Sequence, residues 1–284
     1  MSDHDSVRTV VSQAYTKAVT RPSSGGCCAE PAQKAMAARL AGYSADELRT
    51  LPADAVVNSF GCGNPLAFSG VRPGDVVVDL GSGAGIDLLI AAEKVGPAGR
   101  VIGVDMTDAM IARARANIAA AGAANVEVRQ GIIEKLPIEA SSVDWVISNC
   151  VINLSPDKPK VFAEIARVLR PGGRMAVSDI VVEDLPEWIR RHMALYSSCV
   201  AGAISEEEYL EGLRQAGLAE VEVHERLVYS ASQLKGFIKF ELATAEAALV
   251  AAGAPLGEDT ATELAESLAG KIWSAKFRAR KPQR

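Results

Sequence analysis

The stretch VVDLGSGAG at residues 77–85, followed by VIGVD at 101–105, decides the architecture. The first segment is a β-branched run, a tight glycine turn and a helix start that continues as IDLLIAAEKV, and the second is another strand. In such a unit, backbone N–H groups and a helix N-terminus approach a ligand closely. The spacing does not fit a dinucleotide fingerprint, which would place glycines at 81, 83 and 86: position 86 is Ile, and the glycines stand at 81, 83 and 85. No lysine sits in the loop to form a phosphate cradle. Instead, Asp79 lies inside the first strand and Asp105 ends the second, where a carboxylate can accept hydrogen bonds from both hydroxyls of a ribose. Turn chemistry does not call for two acids on successive strand ends.

Outward from this unit the alternation continues. DVVVDL (75–80), RVIGVD (100–105), NVEVRQ (125–130), VDWVIS (143–148) and RMAVSD (174–179) read as strands. DAMIARARANIAAAG (108–122) reads as a helix stopped by Gly122. In PKVFAEIARVLRPGG (159–173), Val161, Phe162, Ile165, Val168 and Leu169 share a face and Pro-Gly-Gly ends the helix. Strands alternating with helices imply an α/β doubly wound parallel sheet covered on both faces. Further on come a helix in EEEYLEGLRQAG (206–217), strands VEVHE and RLVYS, and a final strand KIWSAKFRAR (271–280). Val7, Val10, Val11, Ala14, Tyr15 and Ala18 mark one face of an N-terminal helix, and TRPSSGGCCAEP (20–31) is a loop by composition. Ser44 and Glu47 form a capping box. The expected division is an N-terminal helical extension with a cysteine-bearing loop (1–55), the core (56–230) and an α+β extension (231–284).

Composition narrows the partners. A net charge of −5 over 284 residues argues against nucleic acid or anionic membrane, both of which demand basic surface. No apolar run reaches the roughly 18 residues that span a bilayer, and MSDHDSVRTV is acidic and polar where a signal peptide would be basic, then apolar. A cytoplasmic protein is expected, and a monomer, since no heptad or apolar stripe calls for assembly. In a reducing compartment the five cysteines, Cys27, Cys28, Cys62, Cys150 and Cys199, read as thiols, metal ligands or a redox couple rather than a disulfide scaffold.

VVDLGSGAG with VIGVD resembles the S-adenosylmethionine-dependent methyltransferases of the Rossmann-like, seven-stranded class. The resemblance implies that Gly81 and Gly83 let the loop approach the methionyl part of the cofactor, below Asp79. It implies that Asp105 holds the ribose and Met106 packs on the adenine, with Ile132 and Ile133 on its other side and Glu134 nearby. Asn149 and Cys150 would stand at the mouth of the site, close to the methyl group.

The cysteines fit no zinc-finger spacing. Cys62 sits in the loop FGCGNP, Cys27 and Cys28 in a Ser/Gly loop, and Cys199 just before a helix start. Thiolates select soft, thiophilic centres. Trivalent arsenic held by sulfur keeps a lone pair that can attack a sulfonium methyl, and no proton need be removed from it, so catalysis is mainly positioning.

DMTDAMIARAR, GIIEKLP, SNCVINLSPDK, RVLRPGGRMAVSDI and the terminal SAKFRARKP together resemble the arsenite methyltransferase branch, NCVINL most specifically. That resemblance implies that Cys150 and Cys199 are the core arsenic thiolates and Cys62 the third ligand for arsenite. It also implies that an upstream cysteine, Cys27 or Cys28, pairs with Cys62 in redox cycling. Thioredoxin or glutathione would regenerate the thiols, and glutathione conjugates would deliver the arsenic. Two other functions remain open on the sequence: methylation of a small organic acceptor such as a quinone precursor, and metalloid sequestration without turnover.

Overall fold

Five β-branched runs pair in parallel to form most of one sheet. They are β1 (Val76–Leu80), β2 (Arg100–Asp105), β3 (Val126–Gln130), β4 (Val143–Asn149) and β5 (Leu169–Val182). The computed structural model describes residues 3–20, 38–39, 41–184, 200, 202–230, 234, 265–266 and 268–283. Two more strands, β6 (Ala219–Val228) and β7 (Ile272–Arg280), complete a seven-stranded sheet of order β3-β2-β1-β4-β5-β7-β6. β7 runs antiparallel to both of its neighbours. The far end of the chain, expected as an extension beyond residue 230, thus lies inside the sheet.

Among the described residues the helices are α1 (Asp3–Thr20), α2 (Ala45–Thr50), α3 (Ala53–Val57), α4 (Pro65–Phe68), α5 (Ile86–Val95), α6 (Asp108–Ala121), α7 (Lys158–Val168) and α8 (Glu206–Gln215). Local signals set their ends. Ser44 and Glu47 close a capping box on α2, and Ser205 and Glu208 close another on α8. Gly122 ends α6 at a φ of 64°, where a side chain would be strained. Asp157 caps α7 by accepting the Lys160 N–H at 3.2 Å, which settles that residue as a cap.

Two local expectations are corrected. Pro171-Gly172-Gly173 does not sit at the end of a helix: α7 stops at Val168, and this stretch lies in β5 beside the register shift against Val143–Trp145. Gly173 packs so close to the Val143 and Asp144 carbonyls that a Cβ would fall 3.1 and 3.2 Å from them. VEVHE and RLVYS are one strand, β6, and not two. No turn residue separates Glu225 from Arg226, and two register shifts against β7 absorb the break in alternation. Opposite charges support the β6–β7 pairing: Glu225 meets Lys276 at 2.7 Å and Glu220 meets Arg280 at 3.0 Å.

The core fills both faces of the sheet. β4 is buried along its length up to Asn149, and Trp145 packs in the core there. On one face α8 docks through Tyr209, whose ring stacks on Phe277 at 4.0 Å and meets Phe162 of α7 at 5.1 Å. Each such fully buried aromatic contributes roughly 1.5–3 kcal/mol. Glu206, at the start of α8, does more than favour the helix dipole: it accepts the Arg226 guanidinium through both oxygens at 2.6 Å and the Trp273 indole N–H at 3.1 Å. No helix among the described residues is long and apolar enough to cross a membrane.

Tyr209 also reaches a buried acid. Its hydroxyl donates to Asp179 at 3.4 Å, and Asn153 and the Ile180 N–H donate to the same carboxylate at 2.8 and 3.0 Å. Burial raises the Asp179 pKa from 3.8 to about 7, although these hydrogen bonds and the charge of Lys158 oppose the rise. Between about pH 4 and 7 the native state keeps a proton that the unfolded chain releases, so this group's contribution is intact at low pH and lost as pH rises through 7. Asp179→Asn is therefore expected to leave stability little changed near pH 4.5 and to raise it at pH 8 by up to roughly 4 kcal/mol. Urea denaturation at both values checks this; an equal shift at the two pH values would mean that Asp179 ionises normally.

Candidate active site

The carboxyl ends of β1, β2 and β4 open onto one cavity, walled on its outer side by Arg8, Val11 and Tyr15 of α1. Asp79, Gly81, Gly83 and Asp105 line it, as do Met106, Ile132, Ile133 and Glu134. Asn149 and Cys150 close its inner end. The structure thus brings ten of the sequence-derived candidates together. Cys62 joins them through Cys150. Cys27, Cys28 and Cys199 lie outside the described residues.

The glycine loop is shaped by close contact and by Asp105. Gly81 has a φ of 66°, and a Cβ there would fall 2.5 Å from the methyl groups of Val151. Asp105 holds the loop by accepting the Gly83 N–H at 2.9 Å through one oxygen and the Thr107 N–H at 2.8 Å through the other. The Met106 N–H and the Thr107 hydroxyl also reach this carboxylate. Ser82, between the two glycines, is buried with its hydroxyl packed against Gly103 and without a partner among the described residues, while a Cβ on Gly83 would meet, among those residues, only the Gly81 carbonyl oxygen, 4.0 Å away.

The cavity is strongly acidic. Among the described residues, four carboxylates, from Asp79, Asp87, Asp105 and Glu134, line it against one guanidinium, that of Arg8. Arg8 is itself taken up by Glu134 at 3.3 Å, and Glu134 also accepts the Ser155 hydroxyl at 2.7 Å. Burial, then the charges of Asp87 and Asp105, holds the Asp79 carboxyl well above the usual range. Burial raises Asp87 to about 6 against the hydrogen bonds of Tyr43 and Asn149, and it raises Asp105 against the N–H groups of Thr107, Gly83 and Met106. Such a cavity favours a ligand carrying positive charge and repels a pyrophosphate.

Asn149 does not wait free for a ligand. Its carboxamide oxygen accepts the N–H groups of Cys62 and Gly63 at 2.9 and 3.1 Å, and its nitrogen donates to the Tyr43 hydroxyl at 2.9 Å and the Gly63 carbonyl at 2.5 Å. The glycines flanking Cys62 follow from this packing: a Cβ on Gly61 would overlap the Asn149 carboxamide, and one on Gly63 would overlap Ser178. Ser274 of β7 donates to the Cys62 carbonyl at 3.1 Å. Pinned on both sides, the loop holds Cys62 with its Cα 5.8 Å from that of Cys150, and the two form a disulfide. This differs from the expected partner of Cys62, an upstream cysteine. Cys150 is 4% exposed, in an apolar cluster with Val7, Val11 and Leu154, and holds a left-handed φ of 58°. Non-glycine residues adopt that region uncommonly, and such outliers cluster at functional sites.

Several contributors left little trace in the sequence. Asp87 could have been noticed as an acid in the first turn after the glycine loop. Nothing near Tyr43 or Arg8 distinguishes either from an ordinary helix or turn residue. Asn153 contributes by holding Asp179 and the Ile180 carbonyl.

A parallel sheet with an antiparallel seventh strand, and a glycine loop answered by an acid on the next strand, define a Rossmann-like methyltransferase. A profile of the methyltransferase domain matches residues 72–217, about half of the chain. In structure the chain is similar to an arsenic(III) S-adenosylmethionine methyltransferase from Chlamydomonas reinhardtii. The TM-score is 0.62 at 32% identity, covering 87% of this chain and 74% of that one. The chain belongs to the arsenite methyltransferase family. It is 48% identical over 200 residues to an arsenite methyltransferase of Halobacterium salinarum, 70% of this chain and 51% of the relative. It is 41% identical over 138 residues to one of Homo sapiens, 45% of this chain and 37% of the relative. The chain spans about half the length of the first of these curated relatives.

Proposed function

We propose that the protein transfers the methyl group of S-adenosylmethionine to trivalent arsenic, arsenite or methylarsenite, held by cysteine sulfur. The observation that carries this reading is the meeting of Cys62 and Cys150 at the inner end of the acidic cavity, next to the glycine loop. S-adenosylmethionine supplies an electrophilic sulfonium methyl, and its positive charge suits the four carboxylates. Asp105 would accept the ribose hydroxyls, and the Gly81–Gly83 loop would hold the methionyl part. Met106, Ile132 and Ile133 would enclose the adenine, with Glu134 at its edge.

At the other end, Cys150, Cys62 and Cys199 would hold the arsenic so that its lone pair faces the methyl group. In the transfer the lone pair forms the arsenic–carbon bond while the sulfur–carbon bond breaks toward sulfur. Returning arsenic to the trivalent state takes two electrons, which two thiols supply by closing a disulfide. Thioredoxin or glutathione, at hand in the cytoplasm, would then reduce that disulfide for the next turn. Acid–base groups are not needed at the acceptor, since it carries no proton to lose. The reading places the protein in arsenic detoxification, acting as a monomer.

The test is an assay with purified protein, S-adenosylmethionine, a thiol reductant and arsenite, followed by separation of the arsenic species. Methylated arsenic is the expected product. Arsenite bound without methylation would replace this reading with sequestration, and neither binding nor methylation would leave an organic acceptor.

A further inference from the structure

A chain of hydrogen bonds, part-buried at Asn149 and buried at Tyr43 and Asp87, runs between the two loops of the site. The Cys62 N–H donates to the Asn149 carboxamide oxygen, the Asn149 nitrogen donates to the Tyr43 hydroxyl, and that hydroxyl donates to Asp87 at 2.9 and 3.0 Å from its two oxygens. Asp87 stands in the first turn of α5, two residues after the glycine loop ends at Gly85. The chain therefore starts at the backbone of the thiol-bearing loop and ends on the helix that opens from the cofactor loop. Each member is held for this purpose. Tyr43 and Asp87 are buried. Asn64, which caps α4 by accepting the Ala67 N–H at 3.1 Å, reaches back to the Gly42 carbonyl and to Glu47 at 3.5 Å, so the turn carrying Tyr43 is tied to the FGCGNP loop a second time.

We propose that Tyr43, Asp87 and Asn149 are positioning residues that fix the Cys62 loop against the cofactor loop, so that the Cys62 sulfur is presented to Cys150 and to the methyl group in one orientation. Only a carboxamide suits the middle position, because it must accept two backbone N–H groups and donate to a hydroxyl at once. A carboxylate there would face Tyr43 and Asp87 with no donor. The tyrosine hydroxyl is the short joint of the relay: it accepts from Asn149 and donates to Asp87, whereas the direct bond from the Asn149 nitrogen to Asp87 is longer, at 3.4 Å, so removal of the hydroxyl leaves only that long bond between the two loops.

Tyr43→Phe in the full chain tests this with two readouts. The first is the equilibrium of Cys62 and Cys150 with glutathione, in which two protein thiols and one oxidised glutathione give the protein disulfide and two reduced glutathiones. The Cys62–Cys150 peptide is quantified by mass after acid quenching. The effective concentration of the two thiols is expected to fall by about tenfold, the equivalent of one buried hydrogen bond lost between them. The second readout rests on the methylation proposed above: kcat is expected to fall by a similar factor with KM for S-adenosylmethionine nearly unchanged, because alignment and not binding is lost. An unchanged disulfide equilibrium in Tyr43→Phe would overturn the inference. So would a change confined to KM. If the wild-type protein fails to methylate arsenite, the proposed function falls, while the disulfide equilibrium still decides the relay. Should Tyr43→Phe fail to fold, Asn149→Ala interrupts the relay at its other joint and is expected to give the same loss; a wild-type equilibrium in it would overturn the inference equally.

Discussion

Cys150→Ser is expected to abolish arsenite methylation, lowering kcat by at least about 100-fold, the scale of losing alignment between reacting atoms. The serine hydroxyl is close in size to the thiol, so the end of β4 keeps its packing, but a neutral hydroxyl is a poor ligand for a soft centre. Cys150 is also the residue best placed to report on the site. Its N–H is fixed to the Ser178 carbonyl at 2.8 Å, and its left-handed φ aims the side chain from a position that ordinary strand geometry would not give. Binding of S-adenosylmethionine to the variant, followed by calorimetry, is expected to stay within about threefold of wild type, because thiol and cofactor contacts are separate. Retention of more than a tenth of the activity would mean that the arsenic is held elsewhere, and the thiolate assignment would be withdrawn.

Asp105→Ala is expected to weaken S-adenosylmethionine binding by at least about 100-fold, the equivalent of two charge-assisted hydrogen bonds at about 1.5–3 kcal/mol each. The loss has two sources. On the proposed binding mode two ribose hydroxyls would lose their acceptor, and the Gly83 and Thr107 N–H groups, which Asp105 satisfies at 2.9 and 2.8 Å, are left without one. The second source also acts on the cofactor-free protein, whose stability is expected to fall by roughly 1–3 kcal/mol per orphaned group. Calorimetric titration together with thermal denaturation separates the two. A dissociation constant within threefold of wild type would place the ribose elsewhere.

The centre of the sheet could be read directly from the chain because β1, β2 and β4 are buried on both faces and show as apolar runs between turn residues. DVVVDL, RVIGVD and VDWVIS fall within a residue of β1, β2 and β4. The glycine loop with Asp79 and Asp105 was equally plain, since its chemistry is local. The order of β5, β7 and β6 was hidden, because nothing in KIWSAKFRAR says whether it joins an edge or enters between two strands. Its basic residues facing the acids of VEVHE hinted at a pairing, but not at the direction. The resemblance put Asn149 at the mouth of the site, close to the methyl group, but its link to the Cys62 loop, a partner 87 residues away in the chain, was not legible. Tyr43 had no signal at all, because a tyrosine in a turn shows its use only once its hydroxyl is seen between Asn149 and Asp87. Distance along the chain, more than any unusual residue type, separates what was legible from what was not.

The insertion of β7 between β5 and β6 has a consequence for biosynthesis. While the chain is still emerging from the ribosome, β1 to β5 can already pair, but the outer edge of β5 stays bare and β6 has no neighbour to join. Both wait until residues 272–280 are made. At roughly 5–20 residues per second, that leaves several seconds in which an apolar edge is open to stray pairing. The thiol loop waits as well, since Ser274 is one of the groups that pins Cys62. A nascent chain stopped short of β7 would expose a ready template for aggregation and would have an incompletely anchored Cys62 loop, so chaperone cover during late translation matters more for this topology than for a sheet whose strands pair in the order they are made.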